Sequence, residues 1–237
     1  MLDAEPRFLP HLLEIHGKFP KLRIVLEHVT TAAAIACVSP PSFAAVHEVK
    51  LRDAGSQVKT LGPNVGATIT PHHLALTIDQ AVASPLAFCK PIAKYPSDRA
   101  ALRSVIREGH PRFFLGSDSA PHPSCNKVPT VTIDQFDTLS LPNACAAGIY
   151  TSQNLIPLLA TIFETSDIPL ERMAGFASTF GRAFYGYPAK VGEELTLRRV
   201  REGGVVPTAF GYPREEGREY IIPFMAGQKL GWEIVKS

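Results

Sequence analysis

Three segments of the chain carry side chains able to ligate a metal or move a proton: Glu27-His28, His72-His73, and Ser117-Asp118 with His122 close behind. Neutral imidazole offers a nitrogen ligand and a carboxylate a hard oxygen ligand, a combination that suits zinc or a similar divalent ion. Each residue also has a plainer reading by itself. His28 serves equally as a satisfied polar residue, Asp118 as a helix cap or an Asx turn before Pro121, and His72-His73 reads as an exposed turn pair. No glycine-rich phosphate loop, G-x-S-x-G elbow or H-E-x-x-H helix is present.

What joins the three segments is position. Each follows a short apolar, β-branched run: Leu22 to Leu26, Ala67 to Thr70, and Arg112 to Gly116. The periodicity predicts a helix from Pro6 to His16, a second from Ala32 to Val38 capped by Thr30 or Thr31, and a third from Asp98 to Glu108 closed by Gly109. Helix, strand, helix in succession is the rhythm of a parallel α/β sheet. In such sheets and barrels, ligand-binding groups collect where the carboxyl ends of the strands converge. Residues 39–63 read as a short helix and loops, broken by Pro40-Pro41 and Gly55. Residues 123–143 read as a long polar loop, followed by helices near 155–164 and 169–176 and short extended pieces such as Glu219 to Ile222. With no internal repeat and no linker, residues 1–237 read as one domain.

Composition narrows the class. Lys plus Arg number 24 against 22 Asp plus Glu, a net charge of +2, which argues against a nucleic-acid partner. A 45% hydrophobic content suits a globular chain. The four cysteines show no C-x-x-C spacing and read as reduced thiols of an intracellular protein. No apolar run reaches the roughly 18 residues a membrane span needs, and the first residues have no signal-peptide pattern. The expectation is a soluble cytoplasmic protein.

The runs Leu26-Glu27-His28-Val29-Thr30-Thr31, Ala67-Thr68-Ile69-Thr70-Pro71-His72-His73-Leu74 and Phe114-Leu115-Gly116-Ser117-Asp118-Ser119-Ala120-Pro121-His122 resemble, in order, three strand-end motifs of the dihydroorotases, the single-function type of bacteria and fungi. Phe180-Gly181, Phe184-Tyr185-Gly186-Tyr187-Pro188 and Ile222-Pro223-Phe224-Met225-Ala226-Gly227 resemble that family's C-terminal motifs, so the likeness runs from about residue 3 to Glu233. It implies the C-terminal part of a (β/α)8 metal-dependent hydrolase barrel, about three of its eight strands, with a zinc pair at the strand ends. By resemblance, His28 and Asp118 are metal ligands, and Asp118 is also the general base. It takes the proton from the hydroxide that attacks the cyclic amide of dihydroorotate, then returns it to the leaving nitrogen, giving carbamoyl aspartate in pyrimidine synthesis. By the same resemblance His122 holds the substrate carboxylate, while Lys90 through its backbone and Ala147 line the ring pocket. A hydantoinase or a non-enzymatic paralogue are the other readings.

The family's H-x-H pair, bridging lysine and H-G-E histidine have no counterpart here; His16-Gly17-Lys18 does not match. The domain is therefore expected to be incomplete at its N-terminal side. Its partners are a small-molecule substrate and either a second copy or a missing N-terminal half. Alone, the chain is expected to bind metal weakly and to be inactive, since a catalytic zinc takes three protein ligands.

Overall fold

The computed structural model describes residues 1–39, 61–128, 132–133, 139–140, 145–188, 194–201, 204–213 and 217–235; most of the stretch predicted as a short helix and loops, residues 40–60, lies outside them. Helix α1 (Ala4–Lys18) runs beyond its predicted limits at both ends and turns Leu9 and Leu12 inward. Strand β1 (Ile24–Leu26) leads to helix α2 (Ala32–Val38). Of the two candidate caps, Thr31 is the one used: its Oγ1 accepts from the Ala34 amide at 3.1 Å. Thr30 has another task. Its amide and hydroxyl both donate to Oε2 of Glu5, at 2.8 and 2.9 Å, while the Thr31 hydroxyl donates to Oε1 at 2.5 Å. One carboxylate on α1 thus clamps the turn that follows His28. Burial raises the pKa of Glu5, and the hydrogen bonds from Thr31 and Thr30 oppose that rise.

Strand β2 (Val65–Ile69) is buried at every position. After it come helices α3 (Pro71–Ala75), α4 (Ile78–Ala83) and α5 (Pro96–Glu108), the last closed by Gly109 at φ 73°. Strand β3 (Phe113–Leu115) completes a parallel sheet of order β1-β2-β3. The register pairs Leu26 with Ala67 and Ile69 with Leu115, which brings the carboxyl ends of all three strands to one edge of the sheet.

Within the predicted long loop lie one helical turn, α6 (Ser124–Lys127), and a short antiparallel pair, β4 (Thr132–Ile133) with β5 (Leu139–Ser140). Helix α7 (Leu155–Thr165) matches its predicted limits to within one residue. The helix expected at 169–176 starts as a 3-10 turn, Leu170–Arg172, and continues through a π-helical stretch, Gly175–Thr179, into helix α8 (Phe180–Tyr185). The wide turn has a steric counterpart: a Cβ on Gly175 would lie 2.6 Å from the Phe180 ring, so only glycine lets that ring close over the coil. The C-terminal pieces form two antiparallel pairs, β7 (Phe210–Pro213) with β8 (Arg218–Ile221), and β6 (Thr196–Arg199) with β9 (Trp232–Val235).

The core lies between the sheet and its helices. Ile35 of α2, Ile69 of β2, Leu102 of α5, Phe113 of β3 and Leu158, Leu159 and Phe163 of α7 are all at most 1% exposed. Phe163 meets Phe176 at a centroid distance of 5.8 Å. Along β1 all three residues are only half-buried, as expected of a strand with one edge of the sheet free of a neighbour among the described residues. Cys37, Cys89, Cys125 and Cys145 are free thiols. No helix of the described residues is long and apolar enough to cross a membrane.

Candidate functional site

Strand β1 ends in Glu27-His28 and β3 in Gly116-Ser117-Asp118, and both motifs do something unusual with the backbone. His28 has φ 44° and Asp118 φ 40°, the left-handed region that non-glycine residues avoid. Holding such residues there costs on the order of 1–3 kcal/mol each, and this pattern clusters at binding and catalytic sites. Thr68 of the central strand supplies the restraint. Its Oγ1 accepts from the His28 amide at 2.7 Å and donates to Glu27 Oε2 at 2.5 Å, and its carbonyl accepts from Val29 at 2.9 Å. On the other side, the Gly116 amide donates to the Ile69 carbonyl at 3.3 Å.

Gly116 also explains why the third motif opens on glycine. A Cβ there would stand 2.7 Å from Thr68 Cβ and 2.9 Å from its Oγ1. Gly116→Ala should therefore displace the residue that fixes His28, at a cost of about 1–3 kcal/mol in urea unfolding.

The His28 imidazole is half-buried, and its Nδ1 is buried without a hydrogen-bond partner. Asp118 stands at the exposed rim. Its pKa is raised by partial desolvation, lowered by the charge of His28 and raised again by Glu27, so the three side chains share one electrostatic site. An orphaned imidazole nitrogen beside a carboxylate is a donor set that fits a divalent metal ion. These two residues are fewer than the three protein ligands of a catalytic zinc.

The pair His72-His73 corrects the sequence expectation. It is no exposed turn: His72 is 0% and His73 2% exposed, because Thr70 caps α3 and turns both rings under the strand end. The rings lie 4.5 Å apart. His73 is well supplied with partners: Nδ1 lies 2.8 Å from Thr70 Oγ1 and Nε2 2.9 Å from the Pro91 carbonyl. Cys89, also buried, places Sγ 3.6 Å from that Nε2 and donates to the same carbonyl at 3.2 Å. Neither nitrogen of His72 has a hydrogen-bond partner.

Burial holds both histidines neutral, the His73 pKa falling to about 4 and that of His72 also well below its usual value, with the charge of His28 adding to the depression. An unfolded chain takes up these protons near pH 6.5, whereas the folded His73 resists until near pH 4 and the folded His72 resists as well. Below pH 6.5 the unfolded state therefore binds more protons, and stability falls with acidification. In chelator-treated protein, His73 alone should remove about 2 kcal/mol between pH 7 and pH 5, read from urea midpoints.

The residues assigned to substrate fall into two groups. His122 and Ala147 meet: His122 Nε2 donates to the Ala147 carbonyl at 3.0 Å. Lys90 is exposed and precedes Pro91 through a cis peptide bond. Sequence reasoning missed Lys127, which ties these loops together. The residue is 5% exposed, and its ammonium donates to the carbonyls of Phe88, Ala146 and Gly148 at 2.8, 2.9 and 2.9 Å. The Gly148 amide donates back to the Phe88 carbonyl at 3.0 Å. Nothing in the polar loop around Lys127 marks it, since its partners are backbone atoms distant in sequence. A cavity of about 220 Å³ opens here, lined by His122, Lys127, Tyr150 and Pro223 to Ala226 among others. Neither His28 nor Asp118 lines it.

No family model matches the chain. The dihydroorotase of Mycosarcoma maydis is 43% identical over 269 aligned residues, covering 100% of this chain and 63% of that protein. The crystal structure of the Saccharomyces cerevisiae dihydroorotase in complex with 5-fluoroorotic acid superposes with a TM-score of 0.71 at 36% identity, over 99% of this chain and 57% of the other. L-Hydantoinase from Arthrobacter aurescens shares the fold, with a TM-score of 0.64 at 16% identity over 99% of this chain and 47% of its own. The chain thus spans about six-tenths of the length of the dihydroorotases it matches. Its parallel strands and intervening helices are the α/β arrangement expected of part of a (β/α)8 barrel.

Proposed function

We propose that this chain, related along its whole length to the dihydroorotases, carries the C-terminal strand ends of a cyclic-amide hydrolase site that interconverts dihydroorotate and N-carbamoyl-aspartate in pyrimidine synthesis. The observation that carries this is the pair His28 and Asp118. Both are held in left-handed backbone at the carboxyl ends of one parallel sheet and coupled electrostatically. His28 and Asp118 are the residues that would hold zinc, which when bound polarises the substrate carbonyl and makes water acidic enough to attack. Asp118 accepts the proton of the attacking water and passes it to the departing ring nitrogen.

His122 is the residue for the substrate carboxylate in this reading, its ring oriented by the hydrogen bond that Nε2 donates to the Ala147 carbonyl. Lys127 cannot do this, because its three N–H groups are taken by carbonyls. Ala147 and the Lys90 backbone flank the ring. We take residues 1–237 as one domain of a cytoplasmic enzyme that is part of a barrel, with the remaining ligands supplied by a missing N-terminal half or across a homodimer. With only His28 and Asp118 at this place, the strand ends of the isolated chain bind metal weakly here and do not turn over dihydroorotate.

The test compares the purified chain in zinc with a chimera joining the upstream part of the Mycosarcoma maydis relative to this chain. Dihydroorotate turnover by the chimera alone is expected. Turnover by the isolated chain would overturn the incompleteness of its site. An inactive, folded chimera would overturn the enzymatic reading in favour of an interaction protein. Hydantoin as competing substrate separates the hydantoinase reading, which rests on fold likeness.

A further inference from the structure

Beneath the end of β2, within electrostatic reach of the His28–Asp118 pair, three buried groups that the proposed reaction does not use converge. The ligand atoms of His72, His73 and Cys89 all lie within 4.8 Å of one another. Close-packed imidazoles and thiols are common in cores when every polar atom has a partner. Here one does not: His72 is fully buried with both ring nitrogens unpartnered, a costly state for any polar group. We propose that His72, His73 and Cys89 form a soft-metal site, two imidazole nitrogens and one thiolate, that takes a zinc-like ion and ties the end of β2 to the Cys89-Lys90-Pro91 loop.

The distances fit that ion. With zinc–sulfur about 2.3 Å and zinc–nitrogen about 2.0–2.1 Å, the sulfur-to-nitrogen edge of a tetrahedron is about 3.6 Å. Cys89 Sγ and His73 Nε2 stand 3.6 Å apart. The orienting partner is also in place, because Thr70 Oγ1 lies 2.8 Å from His73 Nδ1. As the ion enters, the His73 proton moves to Nδ1 and is donated to Thr70, which frees Nε2. Cys89 loses its proton to solvent, so one proton is released per ion bound. The Pro91 carbonyl, which accepts from both Cys89 and His73, then faces the cation in place of those hydrogens. A nitrogen of His72 turns to the ion and gains the partner it lacks. Thiolate and imidazole together select zinc or cobalt over magnesium or calcium.

The experiment uses the full chain carrying His28→Ala and Asp118→Asn, so that the strand-end pair contributes nothing, and Cys37→Ala, Cys125→Ser and Cys145→Ser, which leave Cys89 as the one thiol. Cobalt should produce a near-ultraviolet thiolate-to-metal absorption band, and X-ray absorption of the zinc form should show one sulfur neighbour at about 2.3 Å. Adding Cys89→Ala should abolish the band and weaken zinc binding at least about tenfold. His72→Asn should weaken binding similarly while keeping the band. A zinc shell of nitrogen and oxygen alone, or a band unchanged by Cys89→Ala, would overturn the site. The X-ray measurement needs no change at Cys89 itself, so misfolding of that variant leaves the result decisive.

Discussion

Asparagine in place of Asp118 should lower dihydroorotate turnover by the chimeric enzyme by a factor on the order of 10² to 10⁴, the range a positioned proton-transfer group contributes. The substitution is chosen because asparagine keeps the size of the side chain and tolerates left-handed backbone, so the φ of 40° at this position survives. What it removes is the ability to accept a proton and the carboxylate's negative charge. The loss should fall on kcat more than on KM, since Asp118 neither lines the cavity beside His122 nor carries the substrate carboxylate in this scheme. Far-UV circular dichroism and the urea midpoint should stay near those of the parent. Initial rates across substrate concentration decide the matter: an unchanged kcat would mean that another group moves the proton.

The second large effect concerns stability. Lys127→Met should destabilise the chain by about 2–3 kcal/mol, because three carbonyls, that of Gly148 buried and those of Phe88 and Ala146 half-buried, lose a charge-assisted donor. Methionine retains the apolar stem and its packing, so the loss isolates the ammonium. Burial lowers the pKa of Lys127 because desolvation disfavours its charged form, yet the three carbonyls remain its hydrogen-bond acceptors. Arginine should not restore the site, since a planar fork cannot satisfy three carbonyls arranged around a single nitrogen. The loops it joins carry Phe88 ahead of Lys90 on one side and Ala146 and Gly148 around Ala147 on the other. The same variant in the chimera should therefore raise KM for dihydroorotate. Urea unfolding at pH 7 measures the first effect, and a loss under 1 kcal/mol would show that water replaces the ammonium.

Local chemistry wrote the strand-and-helix order legibly into the chain. The apolar runs at the three strands, a cap at Thr30 or Thr31 and the Gly109 stop depend on neighbours within a few residues, and all were readable in the linear order. The candidate residues were legible as types: His28, Asp118 and His122 stand in motifs that resemble known strand ends. The helix expected near 169–176 is there but changes coil and runs on, because the chain widens into a π-turn where the Phe180 ring covers Gly175, a contact no propensity records. His72-His73 was misjudged for a similar reason. Two polar residues after a strand look exposed until the loop bearing Cys89 and Pro91 is folded over them.

By itself the sequence determined the order of the three parallel strands with helices α1, α2, α5 and α7, and which residue types stand at the strand ends, since periodicity and caps act within a turn or two of chain. Only the tertiary structure decided the rest. It made Thr68 the support of His28, Glu5 the clamp on the following turn, Lys127 the tie between two loops, and His72 a buried imidazole without a partner. These roles arise between residues tens of positions apart. Burial and hydrogen-bond partners belong to the packed chain, and no local pattern encodes them.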